Sequence, residues 1–369
     1  MLWLLCLLAK AQAMDWDLEL PRQHLPYHLN QRPDLKTACQ MDTDCPYRAL
    51  LGDESCWGYE KGCGLEQGYS AKQINCSGKA SRWPRAKTMS EQRETMWKQG
   101  DFGLIKERLD SSQLWCSDNL RYCYAKNIFF DFKSLNAAAN SNKYREDVIH
   151  DGEVGGFCET AFNRDLLNTR ADHKSPLQSW AAELLPFEST ADFRVEEEHC
   201  DIIYEKPTIA FKLDAAVSMY HHFCDFVNLY ASQHINGSFD RDVNILLWDT
   251  SAHGFIDNMF GVTWEAFSVN PLIQLPHLDG KKVCFRSVML PLLGRQRFGL
   301  YYNMPVIDVC SGTGFFQAFS QHILHRLRVP QQNPLPSKVR VTVLSRSTKF
   351  RRMLNEDEVR FICFHLFHR

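Results

Sequence analysis

The sequence predicts an α/β fold built on a parallel sheet, preceded by a disulfide-rich N-terminal region. Hydrophobic residues make up 44% of the 369 positions, enough for a sizeable core. The 14 cysteines are spread along the chain and cluster between Cys39 and Cys76. Beyond about residue 170, strand-like and helix-like stretches alternate, the pattern of parallel sheets.

The chain starts with a short apolar run, Leu2 to Leu8, followed by Ala11-Gln12-Ala13, a small-x-small pattern. Residues 1–13 therefore read as a signal peptide. No later run reaches the ~18 apolar residues of a membrane span, so the mature chain is expected to be soluble and lumenal. A net charge of −2 gives no electrostatic case for nucleic acid or an anionic membrane as partner.

Residues 14–165 form the Cys-rich region, with a helix expected over Ser90–Leu109 and a tight loop at CWGYEKGC, Cys56–Cys63. The cysteines form no CxxC pair, so no metal site is predicted, and disulfides of an oxidising compartment are expected instead. The sequons at Asn75 and Asn236 fit N-glycosylation there.

Residues 166–330 carry the α/β pattern. Asp201–Tyr204 is a candidate strand. Lys212–Ile235 is the strongest helix, with Leu213, Val217, Tyr220, Phe223, Val227 and Tyr230 on one stripe. Asp242–Trp248 and Lys282–Leu290 read as strands and Gly314–Leu327 as a helix. After a Pro-rich linker, 331–336, residues 338–369 start a further unit with a strand, Lys338–Leu344, and a short helix near Arg351–Val359.

His221 and Asp225 stand four apart on the helix and share a face. A carboxylate-positioned imidazole can act as a general base on a hydroxyl, and the same spacing fits a structural ion pair, the commoner use. Asp249 follows a strand directly, where open α/β sheets bind ligands, and it also suits a helix cap. Arg346 and Arg351, after the strand 338–344, could meet a diphosphate, and also fit a solvated basic turn. Ser311-Gly312-Thr313-Gly314 is a weak phosphate-cradle signal. Asp15-Trp16-Asp17 and Asp42-Thr43-Asp44 look like metal-binding DxD motifs, but neither follows a buried strand and both are rejected.

Long segments carry a resemblance: CWGYEKGC at 56–63, WKQGDFGLIKERL at 97–109, KSPLQSW at 174–180, CDIIYEKPT at 200–208, KLDAAVSMYHHFCDFVNLY at 212–230, WDTS at 248–251 and VRVTVLSRSTKFRRMLNEDE at 339–358. They resemble the EGF-domain-specific O-linked N-acetylglucosamine transferases of glycosyltransferase family 61. The resemblance implies a GT-B fold of two Rossmann-like lobes, the first spanning 166–330 and binding the acceptor. It implies transfer of N-acetylglucosamine from UDP-N-acetylglucosamine to Ser or Thr of EGF-like repeats in the endoplasmic reticulum lumen, with no bound cofactor or metal. It gives His221 and Asp225 catalytic roles, and Arg346 and Arg351 contact with the donor.

Three departures stand out. Ser218 occupies a position where the family has Asn. Trp264-Glu265-Ala266-Phe267 leads into Ser268-Val269-Asn270-Pro271, where an acidic Asp-x-Asp is expected. From Val359 onward the sequence leaves the family pattern and lacks its retention tetrapeptide. The expectation is a second lobe largely missing, a chain with little or no transferase activity, and secretion in place of retention. The alternative reading is a non-catalytic lumenal or secreted fragment that binds EGF repeats.

Overall fold

The computed structural model describes residues 16–56, 70–71, 111–117, 120–138, 145–158, 177–214, 218–248, 259–295, 314–331, 343, 345 and 352–367. The described helices are α1 (Leu25–Gln31), α2 (Pro33–Met41), α3 (Ala181–Leu184), α4 (Met219–Asn236), α5 (Gly314–Arg326) and α6 (Glu356–Phe367). The strands are β1 (Ser55–Cys56), β2 (Ser70–Ala71), β3 (Gln113–Cys116), β4 (Cys123–Asp131), β5 (Val154–Gly156), β6 (Glu188–Ser189), β7 (Ile202–Tyr204), β8 (Thr208–Phe211), β9 (Asn244–Leu247), β10 (Ile273–Gln274) and β11 (Lys282–Leu290). Two compact units result, Met1–Leu327 and Arg328–Arg369.

The first unit is organised by one mixed sheet, in the order β10-β9-β8-β11-β4-β5-β6, with β3 on β4 and β7 on β11. The pairs β10–β9, β9–β8, β8–β11, β7–β11 and β5–β6 are parallel, as alternating strands and helices predict. The antiparallel strand β4 departs from the expected all-parallel sheet. It lies in the stretch 14–165, yet pairs with β11 over eight positions, from Lys282↔Asp131 to Leu290↔Cys123. The Cys-rich stretch and the stretch 166–330 thus share one sheet, and the expected boundary between them does not separate two bodies. The eight paired positions along one edge of β11, interrupted only at Arg286, are the physical reason.

Alternating side chains feed two cores. Phe211, Leu247 and Met289 face α1, α4 and α5. Ala210, Leu246, Val288 and Leu290 face Trp180, Leu184 and Trp248. With both faces covered, the central strands read as near-continuous apolar runs. Cys200–Cys284 ties the entry of β7 to β11, and Cys116–Cys123 closes the β3–β4 turn. In the chain-entropy model, the 84-residue separation of Cys200–Cys284 is worth about 4–5 kcal/mol.

Helix α4 starts at Met219, not Lys212, because Lys212–Asp214 turn out of β8. It is not a one-stripe amphipathic helix. Tyr220 is exposed, and Cys224 through Ile235 are all buried, including Asn228, Ser232, Gln233 and His234. Its polar side chains bond locally: Asn228 Nδ2 donates to Cys224 O at 2.8 Å and Ser232 Oγ to Asn228 O at 2.7 Å. Gly237, at φ 68°, ends the helix in the left-handed conformation that glycine adopts without strain. In the second unit, α6 starts at Glu356 and runs on through the tail. Its first turn, Glu356-Asp357-Glu358, complements the helix dipole. Leu354, Phe361 and Ile362 are exposed. The expected signal peptide and the helix Ser90–Leu109 lie outside the described residues, as does nearly all of the strand Lys338–Leu344.

Two buried electrostatic features shape the first unit. Lys212 Nζ bonds Glu183 at 2.7 Å and Ser179 O at 3.2 Å, and stands 4.6 Å from the Trp180 ring centroid, all out of water. Burial draws the lysine pKa down and the glutamate pKa up. The second feature is a histidine cluster at the junction of α1, α4 and α5. The His24 ring lies 5.7 Å from His322 and 6.1 Å from His234, beside Tyr230 and Phe239. Burial, then the Arg32 and Arg326 charges, lower His28 to about 4, against weaker opposition from Asp240 and Asp34. Burial places His234 and His322 well below the ordinary imidazole range. His24 adds to this at His234, and Arg326 and the other imidazoles add to it at His322.

Replacing Lys212 alone by Met leaves Glu183 buried without its cation. Urea unfolding should report a loss of roughly 3–5 kcal/mol, most of it recovered in the Lys212→Met/Glu183→Leu pair. The histidines predict acid lability. Their folded pKa values lie below the unfolded value, so stability is complete above about pH 6.5 and is lost as pH falls toward 4 and below. His28 alone contributes roughly 3 kcal/mol across that window. Unfolding free energies measured at stepped pH should decline through it, and a flat profile would refute the cluster's neutrality.

Candidate functional site

Register brings three strand ends to one edge. Phe211 of β8 pairs with Leu247 of β9, and Ile209 of β8 with Met289 of β11, all parallel. The residues after these strands, Lys212–Asp214, Trp248 and Pro291–Arg295, therefore gather at the carboxyl edge, where open α/β sheets bind ligands. The N-terminus of α4 opens at the same edge.

Asp214 is the centre of this group. Its side chain is 1% exposed, and Oδ2 accepts from His221 Nδ1 at 2.5 Å while Oδ1 accepts from Arg295 Nε. Its backbone N–H donates to Asp225 Oδ2 at 2.9 Å. The sequence expectation put His221 and Asp225 on one face, and both do reach this site. The carboxylate bonded to the imidazole Nδ1 is nevertheless Asp214, and Asp225 holds the Asp214 backbone from below. The difference is tertiary: the turn after β8 inserts Asp214 over the first turn of α4.

The surroundings fix these positions. Trp180 Nε1 donates to Pro291 O at 2.8 Å, and Leu292 N to Ser232 Oγ at 2.9 Å, which sets the path leading to Arg295. A Cβ on Gly294 would stand 2.8 Å from Asp225 Oδ1, so a larger residue there would force the carboxylate to shift. Cys224, beneath, is pushed up to about 12 by burial and by the charges of Asp225 and Asp214, and stays a thiol. The neighbour His222 belongs to the core, where Nε2 accepts from Trp264 Nε1 at 2.9 Å. His221 and Arg295 remain part-exposed, with side chains 28% and 43% accessible. The group thus combines an accessible imidazole, a buried carboxylate and an accessible guanidinium, a set able to move a proton and attract an anion.

The other predicted residues distribute as follows. Asp249, Asn75, Arg346, Arg351 and the stretch Ser311–Thr313 lie outside the described residues. Asn236 is exposed at the last position of α4. Asp42 accepts from Trp16 Nε1 at 2.7 Å and from Asp44 N at 2.9 Å, so it closes a turn. Ser268 and Asn270, where an acidic pair was expected, bind the start of β9. Ser268 Oγ donates to Val243 O at 2.6 Å and Asn270 Nδ2 to the same oxygen at 2.9 Å. That is the amino edge, a strand length of about 13 Å from the His221 edge. Among the described residues no group of three His, Cys, Asp or Glu side chains is arranged to hold a metal. A cavity of about 380 Å³ also lies at the amino edge, where Glu19 pairs with Arg241 at 2.8 Å and Asp242 pairs with Lys206, outside the lining, at 2.6 Å. Its volume makes it conspicuous, yet the chemistry converges at the opposite edge. Sequence reasoning missed Asp214 and Arg295. Recognising β8 as a strand would have marked Asp214 by the same strand-end rule that marked Asp249.

No family model matches the chain. Curated relatives do. A Bos taurus protein is 44% identical over 358 residues and one from Xenopus laevis 43% over 355, each alignment covering 93% of this chain. A Drosophila melanogaster protein is 40% identical over 357 residues and 92% of the chain. All three are named EGF domain-specific O-linked N-acetylglucosamine transferase, and this chain spans 66% of the length of each. Identity of this order, over 92–93% of the chain, is carried only by common descent. The chain belongs to the family of EGF domain-specific O-linked N-acetylglucosamine transferases.

Proposed function

We propose that the chain carries its family's chemistry, moving N-acetylglucosamine from UDP-N-acetylglucosamine to a Ser or Thr hydroxyl of a folded EGF-like repeat. The observation that carries this reading is 40–44% identity over 92–93% of the chain to proteins bearing that name. The carboxyl-edge position of His221 supports it, because a base must be accessible to a hydroxyl held above the strand ends.

In this reading His221 accepts the hydroxyl proton on Nε2. The oxygen attacks the anomeric carbon, and the bond from that carbon to the UDP oxygen breaks, its electron pair leaving with the diphosphate. Asp225 supports the base, Asp249 lines the cleft, and Arg346 and Arg351 meet the leaving diphosphate. The GT-B arrangement of two lobes belongs to the same reading. The three disulfides among the described residues support an oxidising compartment, which we assign to the endoplasmic reticulum lumen, with Asn75 and Asn236 as glycan acceptors.

Against the sequence-based expectation of little or no activity, this reading predicts that the purified chain, incubated with an EGF repeat and UDP-N-acetylglucosamine, adds one N-acetylhexosamine, read by intact mass. His221→Ala should lower the rate by about 10²–10⁴-fold. Capture of the EGF repeat with no sugar added under any condition would replace this reading with that of a non-catalytic EGF-binding chain.

A further inference from the structure

We propose that Asp214 and Arg295 are the residues that position His221, with Arg295 fixing which oxygen of Asp214 faces the imidazole and so which ring nitrogen carries the proton. This rests on the reading of His221 as the base.

The case starts from donor and acceptor inventories. An ionised carboxylate only accepts, so the 2.5 Å contact requires a proton on His221 Nδ1. In neutral imidazole that leaves the lone pair on Nε2, the nitrogen able to take a proton from an acceptor. Free neutral histidine prefers the opposite tautomer, so the site must impose this one. Asp214 can do so because it is itself immobilised. Its side chain is 1% exposed, its backbone N–H is bonded to Asp225, and its second oxygen is occupied by Arg295 Nε. The guanidinium cannot deprotonate and has no acceptor, so it claims an oxygen and never a donor. Arg295 in turn follows the Pro291–Gly294 loop that Trp180 and Ser232 hold. The chain of constraint therefore runs from the core through Arg295 to Asp214 and ends at the imidazole.

The consequence is specific to an amide at this position. In Asp214→Asn, Arg295 keeps the side-chain carbonyl, and the NH₂ turns toward His221. Nδ1 then becomes an acceptor, and the tautomer inverts to Nε2–H. Removing Arg295 as well, in Asp214→Asn/Arg295→Gln, releases the amide to rotate and offer its oxygen to His221.

The test is long-range ¹H–¹⁵N correlation of the imidazoles in the full chain labelled at histidine, at about pH 8 where an unperturbed imidazole is neutral, with the His221 signal assigned by its loss in His221→Gln. The wild type should show Nδ1–H, Asp214→Asn should show Nε2–H, and the double variant should recover Nδ1–H. In the transfer assay Asp214→Asn should lower kcat by about 10²–10⁴-fold with little change in KM, and the double variant should regain part of it. An Nε2–H signal in the wild type overturns the proposal, and that result does not depend on any variant folding. So does an unaltered Nδ1–H signal in folded Asp214→Asn, or a double variant that stays inverted. Absence of transfer in the wild type would refute the functional reading and leave the tautomer result to judge the positioning.

Discussion

Strand β11 must satisfy its backbone groups on both edges, and the rest of the first unit follows from how it does so. One edge is covered by β4 alone, antiparallel and paired at eight positions on either side of Arg286. The other is shared in series by β7, opposite Val283–Phe285, and β8, opposite Val288–Met289. Between them lies Glu205-Lys206-Pro207, and Pro207 has no N–H to offer a ladder. Because β7 and β8 come from one chain passing along one strand, their register is set together. Cys200–Cys284 pins its start. A one-residue slip would turn Phe211 and Met289 from the helix face to the opposite core, so both cores enforce the same register. The common carboxyl edge, and with it the approach of Asp214 and Arg295, is a consequence of that register.

Several polar groups are buried in the core, and each is handled differently. Lys212 and Glu183 are kept by mutual pairing, since either alone would be an uncompensated charge. The histidines between α1, α4 and α5 are kept by remaining uncharged, and the His322 ring packs at tilted angles against Tyr230, Phe239 and Phe267. Asp214 is kept by two side-chain donors, His221 and Arg295, and by Asp225 through its backbone N–H. Only the last arrangement reaches solvent through its partners. That separates a group able to do chemistry from groups that serve packing, although all three sit on the same sheet.

The site was partly legible beforehand. His221 was marked because a helix places residues four apart on one face, a local rule that survives folding. Asp225 was marked by the same rule and does lie in the site, with a different bond. Asp214 and Arg295 lie 7 and 74 residues from His221 in sequence, and the bond between them spans 81 positions. No local period connects them. Where the resemblance implies an acidic pair, the chain has Ser268 and Asn270, and strand geometry places them at the amino edge.

By itself the sequence determined the family, the alternation of strand and helix, β11 to its end residues, and helix α5 to within one residue, because these depend on long matched segments and local periodicity. It also pointed to disulfides, through the number of cysteines and the lack of metal spacing, and three form among the described residues while Cys158 and Cys224 stay free. Only the tertiary structure decided that β4 joins the sheet antiparallel, that α4 is buried on every side and starts at Met219, and that Asp214 takes His221. Each of these is a pairing between distant segments, decided by backbone hydrogen bonding and by which surfaces exclude water. A polar helix looks amphipathic until its second face is also covered, and an aspartate after a strand is ordinary until register brings an arginine to its other oxygen.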